Sequence, residues 1–414
     1  MVNLTKKRLA KAVSGLLAGV MMIGLTACSP LITGDYKFQM GDYPGAITDL
    51  TTYLETHPDS FQAQYMLGRT YLESGQLDKA VSMLEAALAI KPGDPEAVIY
   101  LGLSHVARED YETAIAVLET FQDESRPLVE KAVGKQLTLL KIRQSKKLAQ
   151  EAVAAEKTLA TVKPDKNTYA VCYYADKTPD KDLQAFRKAL AAMTISNLAQ
   201  IDSIQVVERL RLQALLEEMA LGQTGIVDPA TAPRTGRLLG AENVITGSLS
   251  ENINAITALA STSRGRVIGN AAVRVSRDRF FELPGAIAAN VVEMNNIPLT
   301  PAEKQAILDI QTRSLGAAVY YGRALDALDA ADWQTALGYF NQALAADPEF
   351  QLALEGRETC PDDSSEGAGG LAAISPQQMK DRVENNFNDA VKAQTEADEA
   401  AADEMSGGSG GGGH

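Results

Sequence analysis

The sequence predicts an α + α/β protein. An N-terminal array of helical hairpins precedes a central mixed α/β domain, and one more hairpin follows it. Three observations carry this prediction. A 34-residue pattern recurs through residues 28–127, the periodicity changes at Thr168 to alternating strands and helices, and the first pattern returns at residues 317–350. The length of 414 residues is enough for two or three domains.

Residues 1–27 have the pattern of an export signal. A short apolar run, Ala12–Gly24, follows a basic start and is too short to span a bilayer comfortably. It ends in Leu25-Thr26-Ala27-Cys28, which resembles the bacterial lipobox. The resemblance implies that the signal is cut before Cys28 and that this thiol carries covalent lipid, which would be the only bound group. An ordinary signal peptide with a nearby cysteine is the alternative.

The residue after this cysteine indicates which membrane would carry the anchored protein. Ser29 stands where an aspartate would favour retention in the inner membrane. The resemblance therefore implies a lipid-anchored protein on the periplasmic face of the outer membrane. Several acyl chains hold a protein much more firmly than one.

Composition excludes several classes of function. The net charge of −14 disfavours binding to nucleic acid. The three histidines are far apart and lack partner cysteines at ligand spacing, so we expect no metal and no cofactor. No catalytic constellation stands out, so we expect no enzyme. For Cys172 and Cys360 two interpretations are open, separate thiols or a disulfide.

The repeated pattern is clearest at residues 61–94. Small residues at two positions allow two helices to cross closely, large residues fill the space between them, and a proline stops the second helix. This pattern resembles the tetratricopeptide repeat, whose period is 34. Three such repeats cover residues 28–127. The packing residues of the middle repeat are Gly68, Tyr71, Ala80, Leu84 and Pro92.

The resemblance implies an array that presents a concave face to peptides or proteins. An array that only supports the next domain is the other interpretation, because one hairpin cannot bury its apolar face alone. His105 occupies a helix-packing position and is interpreted as a structural residue. Residues 128–163 continue as a helical connector.

The central domain is predicted over residues 168–300. Strands at 168–176 and 203–208 alternate with amphipathic helices, and a strand follows from Val244 to Ser250. Gly222 and Gly225 allow a tight turn before a short helix that ends at Leu239-Gly240. This alternation favours a mixed sheet with helices packed on it.

A second resemblance lies in VVERLRLQALLEEMALGQTGIVD and GRLLGAENVITGSL, which are similar to the curli secretion channel (CsgG-like) family. We interpret its motif positions as structural. The leucines are expected to face the sheet, Gly240 to end a helix, and Glu208 and Arg209 to pair or to cap. The motif residues are Glu208, Arg209, Leu215, Leu216, Glu218, Gly240, Gly247 and Ser248.

Family members form oligomeric rings whose subunits contribute hairpins to a membrane barrel, so a homo-oligomer is possible. Residues 249–276 predict one hairpin with its turn at Ser263–Arg266. Each arm could reach the length that a bilayer requires. The alternative places these strands in the soluble sheet.

The first pattern returns once, within residues 301–350. Trp333 is expected to pack in the turn between its two helices. Residues 351–414 are predicted as an acidic and glycine-rich tail, in which Pro376 to Glu404 form an acidic helix. The packing residues of this repeat are Ala324, Ala336, Phe340 and Pro348.

Together these features favour a non-catalytic scaffold. The repeats would bind periplasmic or outer-membrane proteins or peptides, and the CsgG-like domain would support envelope or secretion assembly. A subunit of an oligomeric curli-type secretion channel is a second interpretation. A lipoprotein activator of a cell-wall synthase is a third.

Overall fold

The computed structural model describes residues 29–159, 162–179, 183–219, 226–361 and 375–407. These residues form two compact units. The first contains the residues up to Ser125 together with Pro376–Asn385, and the second contains Arg126–Ser375 and the residues from Asn386 onward. Cys28, the predicted turn at Gly222 and Gly225, and the glycine-rich end lie outside the described residues.

The N-terminal part of the first unit is built of paired helices. Within each pair the two helices pack on each other, and the second helix of one pair packs on the first helix of the next. The helices are α1 (Pro30–Gln39), α2 (Tyr43–Thr56), α3 (Phe61–Glu73), α4 (Leu77–Ile90), α5 (Pro95–Ala107) and α6 (Tyr111–Leu118).

The period of 34 residues reflects one helix crossing that is made three times. A Cβ atom on Gly34, Gly68 or Gly102 would lie 2.7, 2.6 and 2.6 Å from Cγ of the leucine sixteen residues later. The leucine of each pair is fully buried or nearly so, and no larger residue than glycine fits opposite it without displacement. The three pairs are Gly34 with Leu50, Gly68 with Leu84, and Gly102 with Leu118.

Polar caps and tight turns fix the ends of these helices. The side chains of Ser60 and Asp94 accept hydrogen bonds from the backbone at the starts of α3 and α5. Gly41 and Gly75 turn the chain within the first two pairs, each with φ near +75°. In the third pair Glu109 takes the same role at φ +60°, a conformation that a non-glycine residue adopts at a cost.

The second unit contains a β-sheet together with helices that precede, separate and follow its strands along the chain. Its first helices are α7 (Pro127–Ala154), α8 (Glu156–Leu159), α9 (Phe186–Leu198), α10 (Arg209–Glu218), α11 (Ala232–Leu239) and α12 (Leu283–Asn295). Its strands are β1 (Asp165–Val171), β2 (Ala175–Asp176), β3 (Gln205–Val206), β4 (Ala241–Ser250), β5 (Asn254–Ser261) and β6 (Arg266–Val273).

The sheet has the order β3-β1-β4-β5-β6, and β2 pairs with β4. β1 lies parallel to β3 and β4, whereas β5 is antiparallel to both of its neighbours, β4 and β6. The chain from Tyr169 to Ala175 is buried throughout, as expected for a strand covered on both faces. α9 contacts β1, α11 packs on β4 and β5, and α12 packs on β5 and β6.

The predicted hairpin is present and belongs to this sheet. β5 pairs with β4 along its whole length, and β6 continues the sheet beyond β5. The turn lies at residues 262–265, with Gly265 at φ +64°. Among the described residues, no helix is both long enough and apolar enough to cross a membrane.

The returning repeat has one more helix than the sequence predicts. α13 (Pro301–Ala306) precedes α14 (Leu315–Asp329) and α15 (Trp333–Ala346), and α16 (Gln351–Thr359) follows. The expected tail from residue 351 is therefore wrong for residues 351–359. Phe350 and Ala353 are buried, and α16 packs on α15 and α7, so Pro348 separates two helices instead of ending the domain.

The acidic helix predicted near the C-terminus is present as α17 (Pro376–Gly407). Its buried positions recur at helical spacing and form one stripe. The first ten residues of α17 belong to the first unit and the remainder to the second. The stripe consists of Met379, Val383, Phe387 and Gln394.

Candidate functional site

Buried and half-buried side chains on one side of the first helices of the repeats form one contiguous cluster, which we call the first-helix face. On α3 its residues are Tyr65, Arg69 and Glu73, which lie four positions apart and therefore on one side of the helix. α1 contributes Phe38, and α5 contributes Glu96 and Tyr100. The face therefore combines aromatic rings with one guanidinium group and two carboxylates.

Arg69 lies at the centre of the first-helix face. Its guanidinium carbon is 5.0 Å from the ring centroid of Phe38, 5.5 Å from that of Tyr65 and 4.3 Å from that of Tyr100. These distances are within the range of cation–π interactions. The Nε atom of Arg69 is buried and has no hydrogen-bond partner in the described structure. One arginine thus connects side chains from three consecutive pairs.

The two tyrosines of the face are held in fixed positions. The hydroxyl of Tyr65 donates to Oε2 of Glu96 over 2.7 Å, and its ring meets the edge of Tyr100 with centroids 5.9 Å apart. Burial raises the pKa of Tyr100 to about 12, against the opposing effect of Arg69. Both rings therefore stay neutral near neutral pH, and they are buried, at 5% exposed for Tyr65 and 4% for Tyr100.

The repeat residues singled out from the sequence lie mostly behind this face. Gly68, Ala80 and Leu84 are buried in the crossing of α3 and α4, and Tyr71 is half-buried with Nζ of Lys79 5.3 Å from its ring centroid. Pro92 is exposed just beyond α4. In the returning repeat Ala324, Ala336 and Phe340 are fully buried and Pro348 is exposed beyond α15.

His105 has a structural partner. It is 6% exposed, and its Nδ1 atom lies 3.2 Å from Oδ2 of Asp110. Among the described residues, no group of three or more histidine, cysteine, aspartate or glutamate side chains is arranged to hold a metal ion.

The second unit contains a cluster of buried charges at one carboxylate, that of Asp329 on α14. Nη1 of Arg209 donates to both of its oxygens, at 2.7 and 2.8 Å, and Nζ of Lys188 donates to Oδ2 at 2.6 Å. The side chain of Asp329 is only 4% exposed. Nη1 of Arg209 also donates to the hydroxyl of Tyr173 over 3.3 Å.

This cluster joins the returning repeat to the α/β domain, because α14 supplies the carboxylate while α9 and α10 supply the cations. Burial opposes the charge of Lys188, but Asp329, Tyr173 and Asp326 outweigh it and raise the pKa of the lysine. All three charges are paired, which indicates a role in joining domains. The close approach of Gly322 on α14 to the backbone of Ala185 supports that role.

The expectation for Glu208 and Arg209 is therefore corrected. The two do not pair, because Arg209 turns inward to Asp329, whereas the exposed Glu208 lies 3.5 Å from Nζ of Lys141 on α7. Glu208 is the N-cap residue of α10 but makes no side-chain cap hydrogen bond. From sequence alone the partner of Arg209 was not visible, because Asp329 lies 120 positions later in the other type of domain.

The other CsgG-like motif residues have structural positions. Leu215 and Leu216 are buried on α10, and Glu218 is exposed at its end. Gly240 caps α11 in the left-handed conformation at φ +72°. A Cβ atom on Gly247 would lie 2.3 Å from the carbonyl oxygen of Ile256, so β4 and β5 approach closely there. Ser248 is half-buried and pairs in register with β2 and β5.

The two cysteines of the described residues are separate thiols. Cys172 and Cys360 are both buried and are not joined to each other. Of the two interpretations left open by the sequence, the structure therefore favours the first. Burial raises the pKa of the Cys172 thiol to about 12.

Comparison with solved structures adds two distant similarities. A mutant O-GlcNAc transferase from Thermobaculum terrenum is 18% identical over 45% of this chain, with a TM-score of 0.24, and the match spans 39% of its own length. A tetratricopeptide repeat protein from Parabacteroides merdae is 14% identical, with a TM-score of 0.27, and the match covers 80% of this chain and 97% of that one. A search of curated proteins gave no match.

Comparison with protein families is more informative. Residues 37–97 and 72–126 match the tetratricopeptide repeat. Residues 141–311 match the family described as curli production assembly/transport component CsgG. Neither description names a catalytic activity. The chain therefore contains tetratricopeptide repeats followed by a domain of the CsgG family.

Proposed function

We propose that the protein is a non-catalytic lipoprotein scaffold on the periplasmic face of the outer membrane. Its repeats hold a partner protein, and its CsgG family domain supports envelope or secretion assembly. Tetratricopeptide repeats are interaction modules, and the CsgG description refers to assembly and transport. The lipobox-like sequence at Cys28 supports the anchored location.

The observation that carries this proposal is the first-helix face. Its rings and its arginine belong to the residue types that most often carry the binding energy of protein interfaces. Three helices position them rigidly, so a partner would lose little side-chain entropy on the protein's side of the interface.

Photo-crosslinking in cells tests the binding role. A crosslinking amino acid replaces Gln62, an exposed residue three positions before Tyr65, and in a control it replaces the exposed Glu85 on α4. We expect a defined protein adduct from position 62 that is absent from position 85. Identical adducts at both positions, or none at position 62, would contradict binding through this face.

Lipid labelling tests the anchor. We expect the protein to incorporate labelled palmitate and to fractionate with the outer membrane, and we expect the Cys28→Ser variant to do neither. The Cys172→Ala variant is the control and should retain the label, because Cys172 is fully buried. Unchanged labelling of Cys28→Ser would refute the assignment of the anchor.

A secretion-channel subunit is the second candidate. The observation that favours it is the match of residues 141–311 to a family described as an assembly and transport component. A channel of this kind requires several subunits in a closed ring that crosses the membrane. The scaffold requires neither, so oligomeric state and membrane insertion separate the two candidates.

A further inference from the structure

The first ten residues of α17 lie with the repeats, although more than 250 residues separate them from α5 and α6 in the sequence. Residues 376–385 belong to the first compact unit. Nζ of Lys380 donates to Oε1 of Glu73 over 2.6 Å, and Glu73 is a residue of the first-helix face. The chain thus brings its own helix to the face that we propose for partner binding.

The contact is well buried for a surface helix. Met379 is fully buried, and Val383, one turn later, is 2% exposed. The side chain of Lys380 is only 3% exposed and also lies 2.9 Å from Oε2 of Glu384. Burial opposes its charge, but hydrogen bonds to Glu73 and Glu384 outweigh burial and raise the pKa of Lys380.

The next turn of the helix carries Glu384, whose carboxylate lies 2.9 Å from Nζ of Lys380. Burial opposes the charge of Arg69, but nearby tyrosines and carboxylates, Glu384 among them, outweigh burial and raise the pKa of Arg69. Residues 380–384 therefore contact the first-helix face at Glu73 and add a negative charge that favours the cationic form of Arg69. These contacts define a ligand with two apolar residues four positions apart, a lysine after the first and a carboxylate after the second.

We propose that residues 376–385 are an internal ligand of the first-helix face, and that the external partner presents a helix of the same chemistry and must displace them. This inference rests on the proposed function, because it assumes that the face binds a partner. It adds the chemical class of that partner and a means of regulation. When the internal helix covers the face most of the time, the apparent affinity for the partner is the intrinsic affinity multiplied by the small fraction of molecules whose face is uncovered.

The test uses the full-length chain and a fluorescent synthetic peptide with the sequence of residues 376–391. In the variant Lys380→Glu a carboxylate faces Glu73 and Glu384, so the internal helix should leave the face. We expect the peptide to bind this variant about tenfold or more tightly than the wild type. Hydrogen exchange of residues 376–385 should become faster in the same variant.

Two further variants keep the test specific. Lys392→Glu makes the same change at an exposed position of α17, where the side chain is 77% exposed, and should behave like the wild type. The double variant Lys380→Glu with Glu73→Lys restores an ion pair of reversed polarity, so it should protect the internal helix again and bind the peptide weakly. A variant that merely unfolded would not bind the peptide more tightly.

Equal peptide affinity in the wild type and Lys380→Glu, or unchanged exchange of residues 376–385, would overturn the internal ligand. Crosslinking from position 62 in the Lys380→Glu background separates this failure from failure of the proposed function. Tighter peptide binding together with a stronger adduct supports both. Tighter peptide binding without any protein adduct supports the internal ligand and refutes the partner-binding role.

Discussion

At the scale of single residues, Asp329 shows how one side chain can hold two domains together. Its carboxylate accepts from Arg209 and Lys188 in a site that excludes nearly all solvent. Removing one member of a buried ion cluster leaves the other charges desolvated and unpaired, which costs more than the cluster contributes. Asp326 on the same helix contacts the same lysine over 2.7 Å but is 51% exposed.

These two aspartates make a matched pair of substitutions. Asp329→Asn should lower the free energy of unfolding of the second unit by about 3–5 kcal/mol. Asp326→Asn should lower it by less than about 1 kcal/mol, because the carboxylate of Asp326 is half exposed to water and Lys188 keeps its ion pair with Asp329. Urea unfolding followed by the fluorescence of Trp333 reports on this unit, since it is the only tryptophan and is buried there. Equal effects of the two substitutions would show that burial of the cluster is not what makes it important.

A second residue-scale prediction concerns Cys172. Because burial raises its pKa to about 12 and leaves it no exposed surface, it should not react with iodoacetamide at pH 8 while the protein is folded. In urea the same thiol should react completely. Mass spectrometry of the alkylated peptides measures both. Rapid labelling of Cys172 in the folded protein would mean that the chain from Tyr169 to Ala175 is not buried as described.

At the scale of elements, the repeats were predictable because their period has one physical cause. Gly68 and Leu84 must fit in a single crossing, so small and large residues recur at fixed spacing in the sequence. The first-helix face was not predictable in this way. Its side chains come from three different helices, as Phe38, Arg69 and Tyr100 show. The positions of these residues in the sequence do not indicate that one guanidinium group contacts all the rings.

The sequence pattern does not predict helix α16, and the reason lies in the local sequence. The predicted repeat ends at residue 350, just after Pro348, because proline stops the helix that precedes it. A proline also suits the turn before another helix, and the apolar residues Phe350 and Ala353 begin the buried side of that helix. The sequence signal was present but short, since α16 has nine residues.

Replacing glycine by alanine should have opposite effects on stability at a helix crossing and at an exposed helix position. Gly68→Ala places a Cβ atom 2.6 Å from Cγ of Leu84, so overpacking should destabilise α3 and α4 by about 1–3 kcal/mol. Gly338→Ala, at an exposed position of α15 with nothing within 4 Å, should stabilise its helix by about 0.5–1 kcal/mol. Hydrogen exchange resolved to each helix measures both. Stabilisation by Gly68→Ala would contradict the close crossing.

At the scale of the whole molecule, the change of periodicity at Thr168 was enough to predict two kinds of domain and the mixed sheet of the second. It was not enough to predict that Pro376–Asn385 belong to the first unit, because no local pattern reveals a contact with Glu73 made from the far end of the chain. Pairings such as Lys380 with Glu73 and Arg209 with Asp329 depend on the folded arrangement, and each side chain alone has the pattern of an ordinary surface charge.

The measurement that tests the account most directly is the mass and shape of the lipidated full-length protein in mild detergent, by light scattering and negative-stain imaging. The scaffold account predicts a monomer or small oligomer that is attached to detergent only through its lipid. A closed ring of subunits that crosses the detergent belt would contradict the scaffold and establish the channel.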